Sequence, residues 1–376
     1  MNKKSKVILL PCSSYREEIV YENLEIGLEL LGGIEKIVKK EESILLKPNL
    51  LKKAEVDKAV ITHPSVVGMF ARLMREKGYQ DLSLADSCGN GTTTRVIHGT
   101  GIDRYLEKYG ITAIDYSKGI RVEYPEGIQT KEFILPKELL EKDCVISLCK
   151  MKTHALERIT GAVKNSYGFI YGFHKAKGHT LYPSADSFAR MLVDLNQYVK
   201  PRLYIMDGIV AMEGNGPGSG DQAPMNVMLM SQDPVALDSV FCNLIHLKPE
   251  MVPTNYHGEK MGLGTWKKEE IEIMTPAGMI SMEDAVAQYG NPYFDVDRRV
   301  VRSGMWERLA KALNIFQKKP YIEPERCIRC RNLRKRAVLY RIRLWISERA
   351  EKIHQFTITG NVSGVSAARK CARRRQ

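Results

Sequence analysis

The feature that most constrains the fold is an alternation between short apolar runs and segments with helical periodicity, which extends over roughly the first 275 residues. Runs rich in Val, Ile and Leu are predicted strands at 7–12, 44–46, 82–85, 144–148, 203–206, 227–230 and 271–274. Helices are predicted at 64–77, 184–198 and 234–245. Because helices that connect parallel strands cover both faces of a sheet, the sequence predicts an α/β fold with a mostly parallel sheet and helices on both faces.

The basic character of the chain is confined to its end. The 376 residues carry a formal charge of +13, but the segment 331–376 contributes +11 and leaves only +2 for the rest. A nearly neutral body predicts that nucleic acid is not a partner. The sequence has no apolar run long enough to span a membrane and no recognisable leader, so it predicts no membrane partner and a cytoplasmic location.

Polar residues follow several of the predicted strands, where ligands of α/β proteins commonly bind. Lysines and a histidine at these positions would suit a carboxylate or phosphate, and nearby acids could act as bases or bind a metal. The predicted catalytic residues are His154, Lys152, Asp207 and Glu213, and His154 could shuttle protons near neutral pH. The predicted substrate- or anion-binding residues are Lys47, Asn49, Asp86, Lys150, Lys164 and Asn165. The alternative is a set of unrelated surface charges, and Asp233 before Pro234 is better explained as a helix N-cap.

These motifs, taken in order, resemble those of the bacterial and archaeal domain-of-unknown-function 362 family. The resemblance covers roughly residues 5–275 and includes Lys47-Pro48-Asn49, Lys150-Met151-Lys152-Thr153-His154, Lys164-Asn165-Ser166-Tyr167-Gly168, Asp207-Gly208 with Glu213-Gly214-Asn215-Gly216-Pro217, and Ser231-Gln232-Asp233-Pro234-Val235-Ala236-Leu237-Asp238. It implies an α/β domain over 1–300, a linker and helix over 301–322, and a C-terminal ferredoxin module with two 4Fe-4S clusters over 323–376.

The C-terminal segment departs from that module. Cys327 and Cys330 begin the expected Cys-x-x-Cys motif, but the remaining cluster ligands are missing. A shifted codon frame permits cysteines at the spacing of the cluster motif, with the relevant positions at Val362, Val365, Ala368 and Ala372. We therefore predict a frameshifted, disordered remnant of a ferredoxin that does not hold 4Fe-4S clusters in the chain as written. The alternatives are a nucleic-acid-binding arm and half of a zinc site.

Three functional hypotheses follow from the motifs and the resemblance. The first is a redox enzyme that acts on a small anionic substrate, with 4Fe-4S clusters in intact relatives and a redox partner protein. The second is a non-redox enzyme, an isomerase or a transferase, that acts on an anion. The third is an electron-transfer or binding protein without chemistry of its own.

Overall fold

The computed structural model describes residues 4–172 and 174–299. The predicted linker 301–322 and the predicted ferredoxin remnant 323–376 lie outside the described residues, and so do Cys327 and Cys330. The division of the chain into three parts therefore stays a prediction.

The described strands are β1 (Ser5–Pro11), β2 (Ile44–Pro48), β3 (Leu82–Leu84), β4 (Thr112–Ala113), β5 (Gly119–Glu123), β6 (Glu132–Pro136), β7 (Cys144–His154), β8 (Arg158–Thr160), β9 (Leu203–Glu213), β10 (Asp221–Ser231), β11 (Ile271–Thr275) and β12 (Gly278–Ile280). The described helices are α1 (Glu17–Leu30), α2 (Pro64–Glu76), α3 (Thr93–Ile97), α4 (Ile102–Tyr109), α5 (Lys137–Leu140), α6 (Ala162–Asn165), α7 (His174–Leu181), α8 (Ala185–Val199), α9 (Pro234–Leu244), α10 (Pro253–Lys260) and α11 (Met282–Tyr289). Every predicted strand and helix has a counterpart among them.

Ten of the strands form one mixed sheet in the order β12-β11-β1-β10-β9-β7-β2-β3-β4, with β8 paired to β7 alone. The block β9-β7-β2-β3-β4 is parallel throughout, and β1 pairs in parallel with β11. Strand β10 runs antiparallel to both of its neighbours. The hairpin β5-β6 is separate. The predicted mostly parallel sheet is therefore confirmed, with β10 as the internal exception.

Both faces of the sheet are buried, which is why its strands read as continuous apolar runs. On β1, Ile8 and Leu10 pack into a core that includes residues of α1 and α2. The alternate residues Val7 and Leu9 pack on the opposite face with residues of α9. The prediction of helices on both faces is confirmed.

Two helix starts are as the sequence predicts. Pro64 opens α2 behind His63, whose side chain accepts the backbone N–H of Ser65. Asp233 caps α9 by accepting the backbone N–H groups of Val235 and Ala236. Caps of this kind satisfy backbone donors that the first helical turn leaves free.

Candidate functional site

The carboxyl ends of β2, β3 and β7 lie side by side, at what we call the carboxyl edge of the sheet. The parallel register fixes this arrangement, because Ile44 pairs with both Leu82 and Cys144. Side chains from distant parts of the sequence therefore meet at this edge, as ligand-binding groups do in other open α/β sheets.

Two predicted strand ends are wrong. The sequence predicts that the fourth strand ends at Leu148 and the fifth at Met206, but β7 continues to His154 and β9 to Glu213. Lys150, Lys152 and Asp207 thus lie within strands rather than beyond them. The strands can contain these polar groups because each finds buried partners, as described below.

One group of predicted residues forms a connected hydrogen-bond network. Lys47 Nζ lies 2.9 Å from Asp86 Oδ1 and donates to Asn165 Oδ1 at 3.0 Å. Asn49 Nδ2 donates to the same amide oxygen at 3.1 Å, and Asn49 Oδ1 accepts from Lys152 Nζ at 2.9 Å. All five residues are less than 10% exposed. The contacts bring these five residues together, and their roles in binding or catalysis stay predictions.

The network requires a glycine at position 168. A Cβ atom on Gly168 would lie 1.9 Å from Asp86 Oδ1 and 2.6 Å from Lys47 Nζ. Any larger residue would therefore displace the buried ion pair. The motif that contains Lys164 and Asn165 therefore ends in a glycine because no side chain fits beside this ion pair.

Asp238 positions the short helix α6, which carries Lys164 and Asn165. Its carboxyl group accepts the backbone N–H groups of Ala162 at 2.6 Å and Val163 at 3.1 Å. Burial raises the pKa of Asp238 to about 7. The last acid of the Asp-Pro-Val-Ala-Leu-Asp motif thus has a structural role next to the site.

Lys150 and Asp207 form a second group, on the opposite face of the sheet from Lys47. Lys150 Nζ donates to Asp207 Oδ2 at 2.8 Å and to the Tyr15 hydroxyl at 2.9 Å. Asp207 also accepts the Tyr15 hydroxyl at 2.8 Å and the backbone N–H of His63 at 2.9 Å. The Tyr15 and His63 rings stack at 3.5 Å. The predicted lysines therefore do not all converge in one cleft.

Lys152 lies between these groups but has no carboxylate partner among the described residues. Its ammonium donates to three neutral oxygens. These are Asn49 Oδ1, Val60 O at 2.7 Å and Pro217 O at 3.2 Å. Burial, followed by the charge of Lys164, lowers the pKa of Lys152 well below its usual value.

Lys164, Lys175 and His154 lie close enough to Lys152 for their charges to act on one another's pKa, and we call these four residues the basic pocket. Within the described residues, neither Lys164 nor Lys175 forms an ion pair with a carboxylate. The Lys175 ammonium donates to the backbone oxygen of Ser87. Burial and the nearby Lys175 charge lower the pKa of Lys164 to about 7.

His154 is held as a neutral imidazole. Its Nδ1 accepts the backbone N–H groups of Leu156 at 3.1 Å and Glu157 at 3.2 Å, so Nε2 carries the proton. Burial and the charge of Lys164 lower the pKa of His154 strongly. Any catalytic role of His154 would therefore use the neutral Nε2–H group as a hydrogen-bond donor, rather than a proton shuttle near neutral pH.

Glu213 lies apart from the basic pocket. Its Oε2 accepts the backbone N–H of Asp295 at 2.8 Å. Within the sheet, Glu213 on β9 pairs with Asp221 on β10. The observed contacts thus attach a later segment of the chain to the end of β9. The predicted catalytic role of Glu213 has no support from these contacts.

Sequence reasoning missed Glu157 and Lys175. Glu157 is fully buried, and neither carboxyl oxygen has a hydrogen-bond partner among the described residues. Burial raises its pKa to about 8, and Lys164 lowers it in part. No sequence signal marks Glu157, because it lies between ordinary turn residues. Lys175, in contrast, stands in a lysine- and histidine-rich stretch that could have been included.

A separate cavity of about 530 Å³ lies near the start of β9 and contains none of the predicted site residues. Its lining includes Tyr124, Lys200, Tyr204 and Met261. It opens near the amino end of β9, whereas the basic pocket lies at the carboxyl edge. The two features are therefore distinct.

The described residues do not fit an iron–sulfur cluster. They contain no group of three or more His, Cys, Asp or Glu side chains placed to hold a metal ion. The cysteines among them, which are Cys12, Cys88, Cys144, Cys149 and Cys242, are separate free thiols. Burial raises the pKa of each, which disfavours the thiolate that ligation requires.

The fold and the site define an α/β protein with buried lysines at the carboxyl edge of a mostly parallel sheet. A model of the family described as domain of unknown function DUF362 matches residues 44–243. The thylakoid-associated protein of Synechocystis sp. is 34% identical over 258 residues, which cover 68% of this chain and 79% of that relative. The chain belongs to the DUF362 family, and the resemblance identified from its motifs is confirmed.

Two solved structures are similar to parts of this chain. The lactate racemase apoprotein from Thermoanaerobacterium thermosaccharolyticum has a TM-score of 0.44 and 12% identity, with 63% of this chain covered. A Thermotoga maritima protein has a TM-score of 0.36 and 12% identity, with 58% covered. This chain spans 56% of the length of each of the two.

No helix within 4–172 and 174–299 has both the length and the apolar character needed to cross a bilayer. The name of the Synechocystis relative places that protein at thylakoids. The predicted cytoplasmic location of this chain remains a prediction.

Proposed function

We propose that this protein is an enzyme that binds a small anionic substrate, a carboxylate or a phosphate, in the basic pocket. One observation carries the proposal: three lysine ammonium groups, those of Lys152, Lys164 and Lys175, lie together without a carboxylate partner in the described part of the chain. Lys47 and Lys150, in contrast, each have one. Lys152 is buried and Lys164 and Lys175 are half-buried, and an anion stabilises such ammonium groups through charge-assisted hydrogen bonds.

The same pocket favours acid–base chemistry. The pKa of Lys164 is lowered to about 7, so near neutral pH this amine exists in both protonation states. Groups whose pKa lies near the working pH are the ones that transfer protons efficiently. A neutral His154 beside Lys164 would add a hydrogen-bond donor to the bound anion. A non-redox isomerase or transferase is the reaction class that these groups support best.

The proposal predicts that Lys164→Met weakens binding of sulfate, an anion that does not titrate in the relevant range. We expect a loss of about tenfold or more, because the variant lacks one charge-assisted hydrogen bond. Wild-type affinity should fall as pH rises through about 7 to 9, since Lys164 must be protonated to attract the anion. Isothermal titration calorimetry at pH 6 and pH 9 measures both effects.

Lys40→Met is the matched control, because Lys40 is exposed and precedes β2 at the other end of that strand. It removes the same charge and should leave sulfate affinity unchanged. Equal losses in the two variants would show that sulfate responds to net charge alone, and the pocket proposal would then be wrong.

Electron transfer to the same substrate is the second candidate, and the Cys327-Ile328-Arg329-Cys330 motif is the observation that favours it. Electron transfer of this kind would require a redox partner protein, and the clusters would be present in intact relatives. The nucleotide sequence from the codon of Cys327 onward tests the premise: cysteine triplets in a shifted frame support it. Their absence removes the iron–sulfur ancestry. A frame-corrected protein purified without oxygen should then show a reducible 4Fe-4S signal that responds to substrate.

A further inference from the structure

Glu157 is a buried acid whose carboxyl group the fold leaves without a partner. It lies in the turn between β7 and β8, its exposed fraction is 0%, and neither Oε1 nor Oε2 accepts a hydrogen bond from the described residues. An unpartnered buried polar group costs about 1–3 kcal/mol, so most buried polar groups are paired. An exception of this kind points to a role beyond stability.

The turn that carries Glu157 is fixed by several contacts. The backbone N–H of Glu157 donates to His154 Nδ1, and its backbone oxygen accepts from Ile159 at 2.7 Å. The next residue, Arg158, has a φ of 63°, in the left-handed region that a non-glycine residue seldom adopts. Its guanidinium donates to the backbone oxygens of Asp297 and Arg299. The turn therefore sends the Arg158 side chain outward while the Glu157 carboxyl stays inside.

A hydrogen bond and the surrounding charges connect Glu157 to the basic pocket, since its backbone N–H donates to His154 Nδ1 at 3.2 Å. Lys164 is the cation that acts most on Glu157, and Asp186 opposes it. Lys164 in turn faces charged or titratable groups from every element packed around it, which are Lys47, Asp86, Lys152, His154, Glu157, Lys175 and His179. Burial raises the pKa of Glu157 to about 8 and lowers that of Lys164 to about 7. Near neutral pH, Glu157 therefore stands mainly as a neutral acid.

We propose that Glu157 is a further catalytic residue, the group that exchanges a proton with the anion held in the basic pocket. In the forward step the carboxylic O–H bond breaks, the proton passes to a basic atom of the bound anion, and the electron pair stays on the carboxylate. Lys164 then balances the new charge. The reverse step restores the acid, so the exchange needs no other reactant. This inference rests on the proposed function, because the anion is the proton acceptor.

Infrared difference spectroscopy at pH 7.5 tests the proposal through the C=O stretch of a protonated carboxyl group. Wild-type protein should show this band and Glu157→Gln should lack it. Inorganic phosphate or sulfate bound in the basic pocket should shift this band in wild type, because the carboxyl O–H then donates a hydrogen bond to the anion. If Glu157→Gln does not fold, a pH titration of wild type alone should lose the band with a midpoint near 8.

The outcomes separate this inference from the proposed function. Anion binding without the Glu157 band would overturn the inference and leave the anion site standing. The Glu157 band without binding of either anion would overturn both, since the proton would have no acceptor. A band that neither bound anion shifts would show that Glu157 does not contact the anion, and the inference would then be wrong.

Discussion

Asp207→Ala should destabilise the protein by about 3–5 kcal/mol, the usual cost of removing one partner of a buried ion pair. The substitution leaves the buried Lys150 ammonium without its carboxylate. It also removes the acceptor of the Tyr15 hydroxyl and of the His63 backbone N–H. Urea unfolding followed by circular dichroism measures the loss.

A second substitution distinguishes the unpaired charge from the lost hydrogen bonds. In the double variant Asp207→Ala with Lys150→Met, neither charge of the pair remains, so much of the stability should return. Glu141→Ala is the control, because Glu141 forms an exposed ion pair with Lys137 and should change stability little. An Asp207→Ala variant as stable as Glu141→Ala would contradict the structural role assigned to this pair.

Glu157→Gln should make the protein more stable than wild type at alkaline pH. The folded-state pKa of Glu157, about 8, lies above its ordinary value of 4.5. Between these values the folded protein keeps a proton that the unfolded chain has lost, so wild-type stability falls as pH rises from about 4.5 to about 8. Glutamine cannot ionise and lacks this fall. The variant should exceed wild type by up to about 5 kcal/mol at pH 9 and match it near pH 4.5.

Urea unfolding of both proteins from pH 4.5 to pH 9 measures this difference. Lys164 also titrates in this range and is present in both proteins, so only the part of its titration that Glu157 changes enters the difference. The exposed variant Glu141→Gln should follow wild type at every pH. A difference between Glu157→Gln and wild type that does not change with pH would show that Glu157 titrates normally.

The strands and the edge that carries the polar residues follow from features visible in the sequence, but the order of the strands in the sheet does not. Apolar runs such as the one around Val7 are continuous because helices cover both faces of the sheet. A continuous apolar run in the sequence therefore indicates a strand that is buried on both faces. Because such a run does not alternate between apolar and polar residues, it does not show on which face of the sheet each side chain lies. The sequence therefore predicts that Lys47 and Lys150 lie near the carboxyl edge, but it does not reveal that they lie on opposite faces.

The partners of the lysines could not be predicted either. Lys150 and Lys152 are two residues apart in one motif, yet one pairs with Asp207 and the other is held by neutral oxygens. The difference comes from distant parts of the chain, since the oxygens that hold Lys152 belong to Asn49, Val60 and Pro217. Glu157 is hidden for a similar reason, since its burial depends on how the turn after β7 packs against other elements rather than on its neighbours in sequence.

The most direct test of the anion site is anomalous diffraction from crystals of the full chain soaked in selenate at pH 6.5. The account predicts a selenium peak within hydrogen-bond distance of Lys164 and Lys175 in wild type, and no such peak in Lys164→Met crystals. Selenium found only beside exposed surface lysines, or a pocket peak that persists in Lys164→Met, would contradict it.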